Sequence, residues 1–325
     1  MRILFITSTR IGDVVLSTGL LDHLIRTHPG ARIWVACGPG AMGVFRGAPG
    51  VERVLPMPKQ RRGLHWLALW RQVAAQVWDL VVDLRASAIA WMLIARRRRV
   101  LTPASRGAAE HRVIQLGRVL DLDPPPAPRL WPEEIEQATA ARLVPAPGVA
   151  LAVGPTANWG GKAWPAERFV ALVERLTGPA GPMAEAPVVV IAGPGEREAA
   201  LPVLASVALA RRVDLIDRVD LATASAVLAR CRLYVGNDSG LMHLAAASGV
   251  PTLGLFGPSR EVHYAPWGPR CASVRGTRTY EDIIGAPGYD YRSHATHMGS
   301  LCVDAVDGAA RDLLAATADP QGDAA

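Results

Sequence analysis

Lysine is nearly missing from this 325-residue chain: two, Lys59 and Lys162, stand against 33 arginines. Generic positive charge is written here as arginine, so a lysine kept inside a loop points to a role that a compact ammonium serves. Cysteine is scarce as well. Cys37, Cys231, Cys271 and Cys302 have no metal-finger spacing and read as free thiols of a reducing compartment. No apolar run approaches the ~20 residues of a membrane span; the longest uncharged stretch worth checking is 88–95. The opening MRILFITSTRIGD lacks a small-residue cleavage site and reads as a first strand rather than an export signal, which places the protein in the cytoplasm. G-x-G-x-x-G is absent after that strand, against a dinucleotide-binding dehydrogenase, and G-x-x-x-x-G-K-[ST] is absent throughout.

What is present is globular: half the residues are hydrophobic and a fifth charged. The length suits about two domains. The net charge of +6 is uneven. Residues 1–145 carry 20 Lys+Arg against 11 Asp+Glu (+9), and residues 146–325 carry 15 against 18 (−3). A basic first half implies an anionic partner, with nucleic acid, an anionic membrane surface and a phosphorylated substrate all open.

Short β-favouring runs alternate with helical periodicity, the pattern of parallel sheets covered on both faces. In the first half the pattern predicts strands at 2–7, 31–37, 51–56, 79–84 and 99–102, and helices at 13–27, 64–77, 86–95 and 110–120. Proline clusters at 121–128 and 143–148 break it. It then restarts, with strands at 149–154, 188–192, 213–216, 233–235 and 251–256, and helices at 165–176, 196–210, 222–229, 241–248 and 303–316. Two doubly wound α/β domains are expected, 1–145 and 146–318, followed by a disordered tail at 319–325. In such folds ligands bind at the carboxyl ends of the strands.

Six stretches bear on chemistry. Asp13 closes the loop after the first strand; it is a helix cap or a general base. Lys162 lies in the glycine-rich loop GPTANWGGKAWP, as a solvated side chain or a partner for a diphosphate. VGNDSGLMHLA runs from an apolar strand through a small polar turn into a helix, so the amides of Ser239, Gly240 and Leu241 and the Ser239 hydroxyl make an anion site. Asp238 holds neighbouring backbone or a sugar hydroxyl, and His243 faces the anion or belongs to the core. Glu196, after Gly193-Pro194-Gly195, is a favourable first-turn carboxylate or a ligand for ribose hydroxyls. Arg96, Arg97, Arg98 and Arg99 end an expected helix. They are solvated there, or meet an anionic acceptor or lipid surface; no nucleic-acid motif accompanies them. His294-x-x-His297-x-x-x-x-Cys302 lacks a fourth zinc ligand.

The chain resembles glycosyltransferase family 9, the ADP-heptose:lipopolysaccharide heptosyltransferases. The resemblance rests on RILFI…RIGDVVLSTGLL, on KAWPAERF from Lys162, and on GNDSGLMHLAAASGVPTLGLFGP. It implies a GT-B fold, two Rossmann-like domains facing across a cleft, with the acceptor on the first and a nucleotide-sugar donor on the second. It implies Asp13 as catalytic base, with Lys162, Ser239, Gly240 and His243 on the donor diphosphate. Asp238 and Glu196 would meet the donor sugar or ribose, and Arg61, Arg62 and Arg96–Arg99 the acceptor or membrane surface. No cofactor or metal is implied, in keeping with the lack of a D-x-D pair. The acceptor would be an anionic glycolipid at the inner face of the cytoplasmic membrane, with no nucleic acid involved. A UDP-sugar epimerase of the same fold and a non-catalytic nucleotide-sugar binder are the alternatives.

Overall fold

Arg2–Ile6 (β1), Arg32–Cys37 (β2), Val51–Pro56 (β3), Trp78–Asp83 (β4) and Ala95–Val100 (β5) form a parallel sheet in the order β3-β2-β1-β4-β5. The computed structural model describes residues 1–102 and 109–318, so the expected tail lies outside the described residues. The central strands β1 and β4 are almost wholly buried, as apolar runs in a sheet covered on both faces must be. Ile11–Thr27 (α1), Leu64–Val73 (α2), Ile89–Met92 (α3) and Arg112–Gly117 (α4) accompany the strands. Leu69 and Val73 of α2 and Ile89 of α3 close one face over Leu4, Ile6 and Val81.

The arginine run departs from expectation. Residues 86–95 do not make one helix ending at the arginines. The helix is the single turn α3, and Arg96–Arg99 lie inside β5, the edge strand beside β4. Charged side chains along an open edge discourage further strand pairing. Arg98 is half-buried, and its guanidinium donates to the carbonyls of Ala90, Leu93 and Ala95. That leaves Arg96, Arg97 and Arg99 exposed.

The proline-rich stretch is packed rather than slack. A Cβ on Gly19 of α1 would lie 2.3 Å from the Pro126 carbonyl oxygen, so only glycine lets that segment cross the helix. The Arg129 amide donates to Thr18 Oγ1 at 2.9 Å.

The chain divides into two compact units, Met1–Glu133 and Glu134–Ala325. The division falls ahead of the break at 143–148, because Glu134–Leu143 (α5) packs on Leu221–Leu228 (α8) of the second unit. Arg230 fixes the link between them by donating to the carbonyls of Val144 and Pro145.

The second unit repeats the architecture. Its strands are Ala150–Gly154 (β6), Val188–Ala192 (β7), Arg212–Ile216 (β8), Cys231–Asn237 (β9), Thr252–Phe256 (β10) and Cys271–Arg275 (β11). All pair in parallel in the order β11-β10-β9-β6-β7-β8. Ala166–Thr177 (α6), Arg197–Ser206 (α7), Gly240–Ala247 (α9), Glu261–Tyr264 (α10), Tyr280–Ile284 (α11) and Val303–Ala316 (α12) complete it, with α12 packed on α6, β10 and β11. The strand β11 and the helices α5, α10 and α11 have no counterpart in the sequence reading. In both sheets the winding reverses beside the first strand, between β1 and β4 and between β6 and β9, and ligands of such sheets sit outside the carboxyl ends at that reversal.

Candidate active site

At the carboxyl end of β6 the chain passes through a glycine-rich turn to Lys162. At the carboxyl end of β9 it turns at Asp238 into α9. The two loops meet: Lys162 Nζ donates to Asp238 Oδ2 at 2.5 Å, with side-chain exposures of 25% and 7%. An ammonium has three N–H donors, so this pair orients Lys162 and leaves two for a ligand. Asp238 is thus the anchor of the lysine, and its other oxygen lies 4.0 Å from His243 Nε2. Buried His243 stands one turn into α9, on the face turned to Asp238.

Ser239 is the N-cap of α9 in extended geometry, and its side chain makes no capping bond. Its Oγ is buried beside the Tyr234 hydroxyl and has no other hydrogen-bond partner among the described residues. Together with the amides at the start of a helix of eight residues, it forms a donor cluster suited to an oxyanion. Beneath it, Gly154 and Gly236 sit side by side on β6 and β9. A Cβ on either would strike the Tyr234 hydroxyl, at 2.1 and 2.4 Å. The fully buried Tyr234 therefore fills the space under the turn, and burial pushes its phenol up from its ordinary value.

Two further side chains tie the loops together. Buried Asn237 accepts the Trp164 amide at 3.0 Å and donates to the Pro155 carbonyl at 2.9 Å. Glu196 Oε2 accepts the Thr156 hydroxyl at 2.6 Å and the Gly193 amide at 2.8 Å, so the carboxylate stands between the loops that follow β6 and β7. The Lys162 loop is clasped from the far end of the chain. Trp159 Nε1 donates to the Ser293 carbonyl, the His297 amide to the Gly161 carbonyl, and the Thr296 hydroxyl to the Ala163 carbonyl. Glycine is required at 160, where a Cβ would lie 2.3 Å from the His294 carbonyl oxygen. This clasp disposes of the zinc reading. His297 stacks between Trp159 and Tyr289, Cys302 is the N-cap of α12, and no metal-holding group of His, Cys, Asp or Glu occurs among the described residues.

In the first unit, Asp13 is not the helix cap. Arg10 holds that place, and Asp13 is the third residue of α1, its carboxylate accepting the Ser8 hydroxyl at 3.3 Å. It stands at the carboxyl end of β1. Arg61 and Arg62 follow β3 and come to the same end of the sheet, exposed ahead of α2. Arg96–Arg99 do not join them, being spread along the edge. Asp83, the last residue of β4, is a further site residue that no motif in the sequence marks. Its Oδ1 accepts the Arg85 amide at 2.8 Å, and its Oδ2 accepts the Ser87 amide at 2.8 Å and hydroxyl at 2.6 Å. Burial raises the Asp83 carboxyl above its ordinary value, against these hydrogen bonds. They fix the turn that presents Arg85, whose guanidinium lies 5.6 Å from the Trp66 ring centre. A buried aspartate ending an apolar strand was the available signal.

Two Rossmann-like units, the second with a lysine and a helix N-terminus at its reversal point, define a glycosyltransferase of the GT-B fold. Similar proteins agree. Lipopolysaccharide heptosyltransferase 1 of Pseudomonas aeruginosa is 28% identical, over 86% of this chain and 88% of its own. The glycosyl transferase family 9 structure from Veillonella parvula matches with a TM-score of 0.78 at 21% identity, covering 97% of both chains. The Escherichia coli ADP-heptose lipopolysaccharide heptosyltransferase II structure matches with a TM-score of 0.72 at 20% identity, over 97% of this chain and 99% of that one. The model of glycosyltransferase family 9 (heptosyltransferase) matches residues 84–283, and the chain belongs to that family.

Proposed function

We propose that this glycosyltransferase moves a heptose from ADP-heptose to an anionic sugar of a lipopolysaccharide-core acceptor, with inversion at the anomeric carbon. The observation that carries the donor half is the Lys162–Asp238 pair beside the buried Ser239 hydroxyl at the start of α9. The donor diphosphate binds the two remaining Lys162 N–H groups, the Ser239 hydroxyl and the Gly240 amide, with His243 behind them. Glu196, held through one oxygen, turns the other to the ribose hydroxyls. Asp13 takes the proton from an acceptor hydroxyl, and that oxygen attacks the anomeric carbon from the face opposite the diphosphate. The C–O bond to the diphosphate breaks, and the electron pair leaves with the phosphate oxygen. Lys162 and the helix N-terminus stabilise this developing charge, the larger part of catalysis in sites of this kind. Arg61, Arg62 and Arg85 meet the acidic groups of the acceptor at the end of the first sheet. The reaction belongs at the cytoplasmic face of the inner membrane, where a nucleotide sugar and a lipid-borne acceptor coexist.

Two measurements test this reading. In a panel of ADP, UDP and GDP, ADP should raise the melting temperature most, since a ligand bound only by the folded state stabilises it. Lys162→Ala should weaken ADP binding by about 1.5–3 kcal/mol, the scale of a charge-assisted contact. Equal shifts with all three nucleotides would remove the adenine assignment. Unchanged ADP affinity in the variant would remove the lysine.

A further inference from the structure

Three large apolar side chains stand almost together in the open at the turn from α3 into β5: Trp91, Met92 and Ile94 are 68%, 63% and 66% exposed. Leu93, among them, is buried in the core below. The turn is held firmly all the same. Arg98 donates to the carbonyls of Ala90 and Leu93 at 2.7 Å each and of Ala95 at 3.1 Å, and its guanidinium lies 5.9 Å from the Trp91 ring. One side chain thus satisfies the backbone of the turn while leaving its apolar side chains uncovered. Along the adjoining edge run Arg96, paired with Asp79 at 3.2 Å, exposed Arg97, and Arg99, paired with Asp121 at 2.7 Å.

We propose that this turn and the start of the β5 edge dock on an anionic lipid surface, with Trp91, Met92 and Ile94 entering the headgroup boundary and Arg96 and Arg97, the edge arginines nearest the turn, meeting lipid phosphates. The inference deepens the proposed function and rests on its lipid-borne acceptor. Charge complementarity selects the occupant. A second copy paired edge to edge would set arginine against arginine, whereas an anionic bilayer offers apolar depth and negative charge together. The geometry suits the acceptor too. β5 runs from this turn to Val100, which is in register with Asp83 at the carboxyl end of the sheet. Six residues at ~3.3 Å each put about 20 Å between the lipid-facing turn and the level of Asp13, room for a sugar standing above its lipid.

The test compares wild type, a Trp91→Ser/Met92→Ser/Ile94→Ser variant and Arg97→Glu. Their binding is measured by co-sedimentation with vesicles of phosphatidylethanolamine and phosphatidylglycerol, and with vesicles of phosphatidylcholine alone. Wild type should prefer the anionic vesicles, with binding that falls as salt rises. The triple variant and Arg97→Glu should each lose at least about tenfold in binding, the latter by reversing a headgroup contact. The changed side chains are solvent-exposed, so melting temperature and transfer to a deacylated, water-soluble acceptor should stay at wild-type values. Vesicle binding within twofold of wild type in the triple variant would overturn the proposal, as would equal wild-type binding to neutral vesicles. A dimer in wild type that the triple variant abolishes would also overturn it, since a second copy would then own the patch. Loss of docking with soluble transfer intact supports the proposal. Docking without transfer to any lipopolysaccharide-core acceptor would instead refute the functional reading.

Discussion

Asp13 separates two roles that one carboxylate can play at a helix start. Since Arg10 occupies the cap, the side chain is available for proton transfer. Asp13→Asn keeps the size and the bond from Ser8 but cannot accept a proton, so turnover should fall by about 10²–10⁴. ADP affinity and melting temperature should hold. Near-normal turnover in a transfer assay would end its assignment as base. Asp83 tests the acceptor-side scaffold. In Asp83→Asn the amide NH₂ must face donors that one of the carboxylate oxygens now accepts, at a cost of about 1–3 kcal/mol. The pH dependence has a definite sign. Burial raises the folded carboxyl above the unfolded value, so its linked stability is present in acid and lost as pH rises through the folded pKa. The variant's deficit in denaturant melts should therefore be larger near about pH 4 than near about pH 7. Lys162 was legible because lysine is so rare in this chain, and Asp13 because it closes the first loop. Partnerships were not legible: Lys162 meets Asp238 across 76 residues and Thr156 meets Glu196 across 40, distances over which no local pattern reports.

Gly19 and β5 carry the lessons of the elements. Replacing a mid-helix glycine by alanine ordinarily stabilises by about 0.5–1 kcal/mol. In α1 the added methyl would collide with the Pro126 and Ala127 carbonyls at 2.3 and 2.6 Å. The cost of overpacking, about 1–3 kcal/mol, should win. Gly19→Ala should then lower the stability of the first unit in urea, and a stabilised variant would mean that the proline segment crosses elsewhere. Most strands were readable because buried parallel strands are written as apolar runs, as in WDLVVD and VVVIA. β5 was legible only at its end, where the strand expected at 99–102 overlaps it, since an edge strand buries little and ARRRRV looks like the polar end of a helix. α5 hid between two proline breaks because only Glu136 and Ala140 are buried along it.

Across the whole molecule the charge divides more sharply than the proline breaks suggested. Met1–Glu133 carries 19 Lys+Arg against 9 Asp+Glu, or +10, and Glu134–Ala325 carries 16 against 20, or −4. The two units should accordingly answer to different ligands. ADP at about a hundred times its dissociation constant contributes about 2.7 kcal/mol to the state that binds it. In hydrogen-exchange mass spectrometry that protection should appear in the peptides of β6, β9 and α9 and leave β1–β5 unchanged. Protection confined to the first unit would reverse the assignment of donor and acceptor.

The clasp on the Lys162 loop also bears on the birth of the protein. Residues 293–301 supply the carbonyls, the amide and the hydroxyl that seat Trp159, Gly161, Ala163 and Trp164. They leave the ribosome after every strand of the second sheet has been synthesised. A nascent chain stalled just past β11 carries every strand of that sheet and the Lys162–Asp238 pair, but lacks the residues that clasp the loop around them. On the proposed reading of Lys162, competence for the nucleotide sugar is thus among the last properties that translation confers.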